Sequence, residues 1–255
     1  MLRPRIIPCL LIKDSGLVKT VKFGNPKYVG DPINAVRIFN EKEVDELIVL
    51  DIDATVKQQE PDYRLISQLA AECRMPLCYG GGVKTVEQVK KILSLGVEKI
   101  ALSSAIVGNH ELISEIVEQV GSQSIVVVLD VKKRLFGSQY DVYTHNGTKK
   151  TTINIMDFVQ QLEKLGVGEV VINSIDHDGV MNGYDLDLIA KIKSLIHVPM
   201  TVLGGAGSLT DIGSLIKQYE IIGSAAGSLF VFKGVYRAVL INYPSHQEKL
   251  SLIAN

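Results

Sequence analysis

The sequence predicts an α/β fold that closes as a (βα)8 TIM barrel, built from two half-barrel repeats and occupying residues 1–255 as one domain. Three observations lead there. Short apolar runs alternate eight times with longer segments of helical period. Eight is the strand number that lets a parallel sheet close on itself. Four strand-end features recur in the same order in both halves of the chain. A doubly wound open sheet is the competing arrangement of the same alternation.

In chain order, strands are expected near 5–12, 46–51, 76–80, 98–103, 124–130, 168–174, 198–203 and 220–226. Helices are expected at 30–44, where Val36, Phe39 and Val44 share a face, and at 85–96, opened by a capping Thr and closed by Gly. The segments 155–166 and 185–196 follow the same pattern. After strand one, KDSGLVKTVKFGNPKYVGDP reads as a long basic loop able to close over an anion. After strand five, residues 132–150 read as an added β-hairpin carrying an exposed His145.

The repeat aligns Leu11 of CLLIKD with Asp130 of VLDVKK, and Asp51 of VLDID with Asp176 of NSIDHD. It also aligns Gly80 of YGGGVKT with Gly204 of LGGAGSL, and Ser104 of LSSAI with Ser228 of AGSLF, at spacings of 119 to 125 residues.

Net charge −1 argues against binding nucleic acid through bulk charge. Cys9, Cys73 and Cys78 form no metal-ligand pattern and fit a reduced, cytoplasmic setting. The apolar run IIPCLLI is too short for a membrane span, and no signal peptide or cofactor motif is read. His177 lies between Asp176 and Asp178 but lacks a third ligand, so no metal site is expected.

In such a barrel the chemistry gathers at the C-terminal ends of the strands. The glycines of GGG (Gly81, Gly82) and GGAG (Gly205, Gly207) let backbone N–H groups approach a phosphate. Ser103, Ser104 and Ser228 add hydroxyls. Two such loops suit an elongated ligand with a phosphate at each end. Asp51, Asp130, Asp176 and Asp178 fall at or beyond strand ends, and Asp130, after the run IVVVL, is the best acid/base candidate. Leu11 can only pack. At the opposite end Arg5, Glu46, Lys99 and Glu169 begin strands one, two, four and six. They form either a stabilising ring or a gate on the barrel axis.

RIIPCL, FGNPKYVGDP, DELIVLDIDAT, YGGGVKT, GSQSIVVVLDVKK, SIDHDGVMNGYD and LGGAG together resemble the cyclase subunit of imidazole glycerol phosphate synthase over nearly the whole chain. That resemblance implies a barrel with two phosphate sites at the top. It also implies a glutamine amidotransferase docked at the N-terminal face, sending ammonia through a gate of Arg5, Glu46, Lys99 and Glu169. Lys19 would lie in the closing loop. Gly82, Ser104, Asp178, Gly179, Gly205, Gly227 and Ser228 would hold phosphates.

The family pairs two aspartates as acid and base, on strands one and five. Asp130 is the second, but Leu11 stands in the first position. Loss of one positioned acid/base typically costs about 10²–10⁴-fold in rate, which puts the imidazole-forming reaction in question. CLLIKDSGLVKTVKF and NPKYVGDPINAVRIFNEKEVDEL look like paralogues that accompany surface-polysaccharide genes, where ammonia serves acetamidino-sugar formation. Three expectations follow: an ammonia-channelling subunit for amidination, a working cyclase, or a non-catalytic scaffold and conduit.

Overall fold

The computed structural model describes residues 3–253. Eight strands run parallel: β1 (Arg5–Lys13), β2 (Leu47–Asp51), β3 (Leu77–Gly80), β4 (Lys99–Leu102), β5 (Ile125–Lys133), β6 (Glu169–Ser174), β7 (Met200–Leu203) and β8 (Gly223–Ala226). Each pairs with the next, and β8 returns to β1 with Arg5 opposite Gly223 and Pro8 opposite Ala226. The sheet is therefore closed, and helices lie between its strands.

Burial on both faces explains why the strands read as unbroken apolar runs. In β5, Ile125, Val127, Leu129 and Val131 face the helices, while Val126 and Val128 face the axis. The same alternation points Asp130 inward. In β1 it sends Ile6, Leu10 and Ile12 outward and Ile7, Cys9 and Leu11 inward.

The expected helices are present as α1 (Pro32–Glu41), α3 (Val86–Ser94), α5 (Ile155–Lys164) and α6 (Leu186–Lys193). The outer layer also has α2 (Tyr63–Glu72), α4 (Glu111–Val120), α7 (Leu209–Tyr219), the short α8 (Ser228–Val231) and α9 (His246–Ile253). The Asp31 side chain caps α1, with Pro32 at its first turn. Val36 and Phe39 are buried on its inner face, and Val44 is buried just beyond its end.

The segment after β1 is not a loop. Gly16–Val21 pairs antiparallel with β1, and Gly24–Gly30 pairs with it in turn. Its two tight turns, Asp14–Ser15 and Lys22–Phe23, place four non-glycine residues at φ between 48° and 62°. Primed hairpin turns are normally announced by Asn-Gly or Asp-Gly, and without that signal the sequence conceals the hairpin. The excursion after β5 is the hairpin expected, with strands Tyr140–Thr144 and Lys149–Asn154.

Both halves therefore carry a hairpin on their first strand, and Leu11 and Asp130 each pair with the returning strand, opposite Val18 and Tyr143. Strand register corrects two repeat pairings. Leu11 neighbours Leu50 and Asp130 neighbours Asn173, so Leu50 corresponds to Asn173. Leu50 neighbours Gly80 and Asn173 neighbours Leu203. The glycine that corresponds to Gly204 is thus Gly81, not Gly80. The caps agree: Thr85 and Ser208 each open a helix with a capping box. Asp176 likewise corresponds to Asp53 rather than Asp51. Asp53 accepts from the Asp14 N–H at 3.3 Å and Asp176 from the Lys133 N–H at 2.9 Å, each tying down the end of its half's first strand.

Candidate functional site

The inward face of the barrel has three levels. At the N-terminal end Arg5, Glu46, Lys99 and Glu169 form one closed ion-paired ring. Arg5 bonds Glu46, and reaches Glu169 at 2.7 Å. Lys99 bridges the same two carboxylates at 2.8 and 2.9 Å. Thr201 donates to Glu169, and a Cβ on Gly223 would collide with that hydroxyl, so β8 has room here only for glycine. Burial alone would raise the Glu169 pKa. The Arg5 hydrogen bonds, the charges of Arg5 and Lys99, and Thr201 reverse this and hold it at about 2. With every charge paired, the ring lies across the axis.

Above it the lining is apolar: Ile7, Cys9, Ile48, Cys78, Val126, Val171 and Ala225. Burial raises the pKa of Cys9 to about 12 and that of Cys78 well above its usual value. These thiols therefore stay protonated and act as small apolar groups.

At the C-terminal end a cavity of about 480 Å³ opens among the strand ends. Leu11, Lys19, Gly81, Gly82, Ser103, Ser104, Asp130, Asp178, Gly179, Gly205, Gly227 and Ser228 all line it. Asp176 and Gly207 do not. Asp176 holds the end of β5, and the Gly207 N–H is taken by the Asp211 carboxylate at 2.9 Å. Asp51 likewise serves its own loop, accepting from the N–H groups of Asp53 and Ala54 at 3.0 and 3.1 Å.

Asp51, Asp130 and Asp178 all line this cavity. Asp51 and Asp178 are each taken up by two neighbouring donors. Asp130 accepts from the Asn173 amide alone among the described residues. It is partly accessible through the mouth, yet walled in by protein. Burial pushes its pKa up to about 7, against a 2.9 Å hydrogen bond from Asn173 Nδ2, with Asp178 adding a further rise. It can take or give a proton near neutral pH. Ionisation of an acid whose folded pKa is raised penalises the fold. The penalty appears above pH 3.8 and is complete above about pH 7. Asp130→Asn is therefore expected to melt close to wild type at pH 4 and to gain relative stability towards pH 8, as read by thermal unfolding across that range. A constant difference would contradict this assignment. Across the mouth, the corresponding pair is Leu11 and Leu50. The two halves thus face each other with a polar pair on one side and an apolar pair on the other.

Two hairpin turns roof the cavity. Lys22–Phe23 docks on the loop after β6, where Asp178 accepts from Thr20 Oγ1 at 2.7 Å and from the Phe23 N–H at 3.0 Å. Gly179 (φ +66°) lies so close to the Thr20 carbonyl that a Cβ would collide with it. The other turn, at 145–147, docks on the loop after β2 through Asn146 Nδ2, which donates to the Ile52 carbonyl at 2.7 Å. The turns meet where a Cβ on Gly147 would lie 3.2 Å from the Phe23 ring. Lys19, expected in a loop, is buried in the first hairpin. Its Nζ donates to the Cys9 carbonyl beside Gly227, and burial lowers its pKa against the pull of Cys9 and Asp178.

Two further residues line the cavity: His145, which the local sequence marks only as part of an added hairpin, and Asn173, to which the inward alternation from Glu169 through Val171 leads. His177 has a buried Nδ1 with no partner among the described residues. Among the described residues, no group of three His, Cys, Asp or Glu side chains could hold a metal.

Fold and site define a (βα)8 barrel with two glycine-serine loops, a carboxylate of raised pKa in its mouth and a charged ring at its base. A profile described as "Histidine biosynthesis protein" matches residues 5–237. A provisionally named imidazole glycerol phosphate synthase subunit of Vibrio vulnificus is 63% identical, covering 98% of this chain and 96% of its own. A similarly named protein of Pseudomonas aeruginosa is 54% identical over 96% and 97%. The imidazole glycerol phosphate synthase subunit HisF of Natranaerobius thermophilus is 38% identical over 97% and 98%. The chain belongs to the histidine biosynthesis protein family and is a HisF-like member of it.

Proposed function

We propose that this chain is the barrel subunit of a glutamine-dependent synthase, working in the cytoplasm with a glutamine amidotransferase docked at its N-terminal face. Ammonia enters through the ring of Arg5, Glu46, Lys99 and Glu169 and moves along the apolar lining. A phosphorylated ligand sits in the mouth between the Gly81–Gly82/Ser103–Ser104 loop and the Gly205/Gly227–Ser228 loop, with Lys19 and the Asp178–Gly179 loop at the second. The delivered ammonia serves amidination of a surface-polysaccharide sugar, the acetamidino group itself being built by a separate enzyme.

Leu11 carries this reading. It faces the mouth at the position corresponding to Asp130, so one half of a two-carboxylate acid/base pair is gone while loops, lining and ring persist. Among the described residues no helix is long and apolar enough to cross a membrane, in keeping with a role outside the bilayer.

The test is the glutaminase rate of the proposed amidotransferase partner. It is measured alone, with the chain, and with the chain plus phosphorylated or nucleotide-linked sugars. The chain with a sugar phosphate is expected to stimulate glutaminase. A flat rate across all arms refutes the channelling role. A second reading, a working imidazole glycerol phosphate cyclase, draws on the near-neutral pKa of Asp130. Rescue of a cyclase-deficient histidine auxotroph by the wild-type chain would establish it and overturn the amidination role.

A further inference from the structure

We propose that His145, carried into the mouth by the hairpin after β5, is a ligand-contacting residue that binds the anionic group held at the Gly81–Gly82/Ser103–Ser104 loop. This rests on the reading of the mouth as the site of a phosphorylated ligand, and it gives the first loop a hairpin side chain, just as Lys19 of the other hairpin lies beside Gly227 at the second.

Position is the first support. The hairpin leaves β5, returns along it and delivers its second turn across the cavity, so that His145 lines the cavity together with Gly82, Ser104 and Lys84. The turn is held from several sides. Asn146 donates to the Ile52 carbonyl at 2.7 Å, Thr148 Oγ1 donates to the His145 carbonyl at 2.6 Å, and the His145 N–H lies 3.5 Å from Ser104 Oγ. Its backbone is left-handed at both His145 (φ 52°) and Asn146 (φ 56°). That conformation is uncommon for a residue other than glycine and is held here by the surrounding contacts. The imidazole is thus presented on a braced turn.

Chemistry is the second support. Nδ1 lies 3.0 Å from Thr144 Oγ1, and Nε2 has no hydrogen bond to a described residue. Lys84 and Lys149 both act on the ring electrostatically, and neither has an ion-pair partner among the described residues. The Lys84 ammonium, the His145 imidazole, the Ser104 hydroxyl and the backbone of Gly81 and Gly82 line one corner of the cavity, with the Lys149 charge acting from outside it, and together make a receptor for a phosphate-like dianion. An amine or an apolar group would find no complement there.

The test uses the whole chain and inorganic phosphate, followed by amide NMR. Signals of Gly82 and Ser104 report the first loop, and those of Gly205 and Ser228 report the second. The variant is His145→Asn, which removes the ring while keeping a residue that accepts the left-handed turn. The expected result is a Kd for phosphate raised about tenfold at the first loop, as for loss of one charge-assisted hydrogen bond, with an unchanged titration at the second. If the variant titrates as wild type at both loops, the His145 assignment is wrong and the reading of the mouth stands. If both loops weaken together, the histidine braces the roof and the assignment again fails. If wild type shows no phosphate titration at either loop, the reading of the mouth falls and the assignment with it.

Discussion

Leu11→Asp is expected to raise imidazole glycerol phosphate formation from the family's bisphosphate substrate and ammonium by about 10²–10⁴-fold, the usual worth of one positioned acid/base. Position 11 is inward on β1, opposite Val18 on the hairpin and Leu50 on β2, at the level that Asp130 holds on β5. Leu11 is partly exposed to the mouth, so an aspartate there keeps some solvent. Its stability cost is then far below that of a carboxylate placed in the core. The Gly-Ser loops and Asp130 are already in place on the other strands. The measurement is steady-state turnover with ammonium at high pH, wild type against variant, with a Leu11→Asn control that restores polarity but not titration. A variant no faster than the control would mean that Leu11 is not what limits imidazole formation in this chain.

The second large effect concerns the ring. Arg5→Met leaves Glu46 and Glu169 buried with Lys99 as their shared cation. Removing one partner of a buried ion pair typically costs about 3–5 kcal/mol, a fall in melting temperature on the order of 10 °C for a chain of this size. The pH dependence has a definite sign. The Glu169 pKa is depressed from about 4.5 to about 2 in the folded chain, so its contribution is complete above pH 4.5 and lost as pH falls through 2. The gap between wild type and Arg5→Met should therefore narrow between pH 5 and pH 2. Thermal unfolding at pH 7, 4.5 and 3 checks this. A gap that stays constant would place the ring's contribution in packing of the Arg5 stem rather than in charge. The same variant opens one side of the ring, which makes it a probe of the proposed ammonia transfer.

Much of this protein was legible as a string of residues because its signals are local. Strands buried on both faces must be apolar throughout, and helices between them must be apolar on one side. The alternation therefore showed in composition, and the closed barrel followed. The two glycine loops, Asp130 and the ring of Arg5, Glu46, Lys99 and Glu169 were visible because they sit at fixed positions relative to strand ends. The Leu11–Asp130 mismatch was visible because the chain repeats itself.

What stayed hidden depends on register and on contacts between distant segments. The hairpin Gly16–Gly30 uses primed turns without the usual glycine pairs, so nothing in its sequence announced that Lys19 would be buried beside Gly227. The pairings of Gly81 with Gly204 and of Asp53 with Asp176 are offset by one or two residues from the apparent alignment, and only hydrogen-bonded neighbours resolve such a shift. Gly207 read as a phosphate contact and Asp176 as a strand-end carboxylate of the mouth, but their polar groups hold the start of α7 and the end of β5. His145 looked like an exposed hairpin residue until the turn was seen to cross the mouth. Local sequence dictates which groups a strand end carries. Whether those groups meet a ligand or one another is decided by closure of the barrel, which brings residues more than a hundred positions apart within hydrogen-bonding distance.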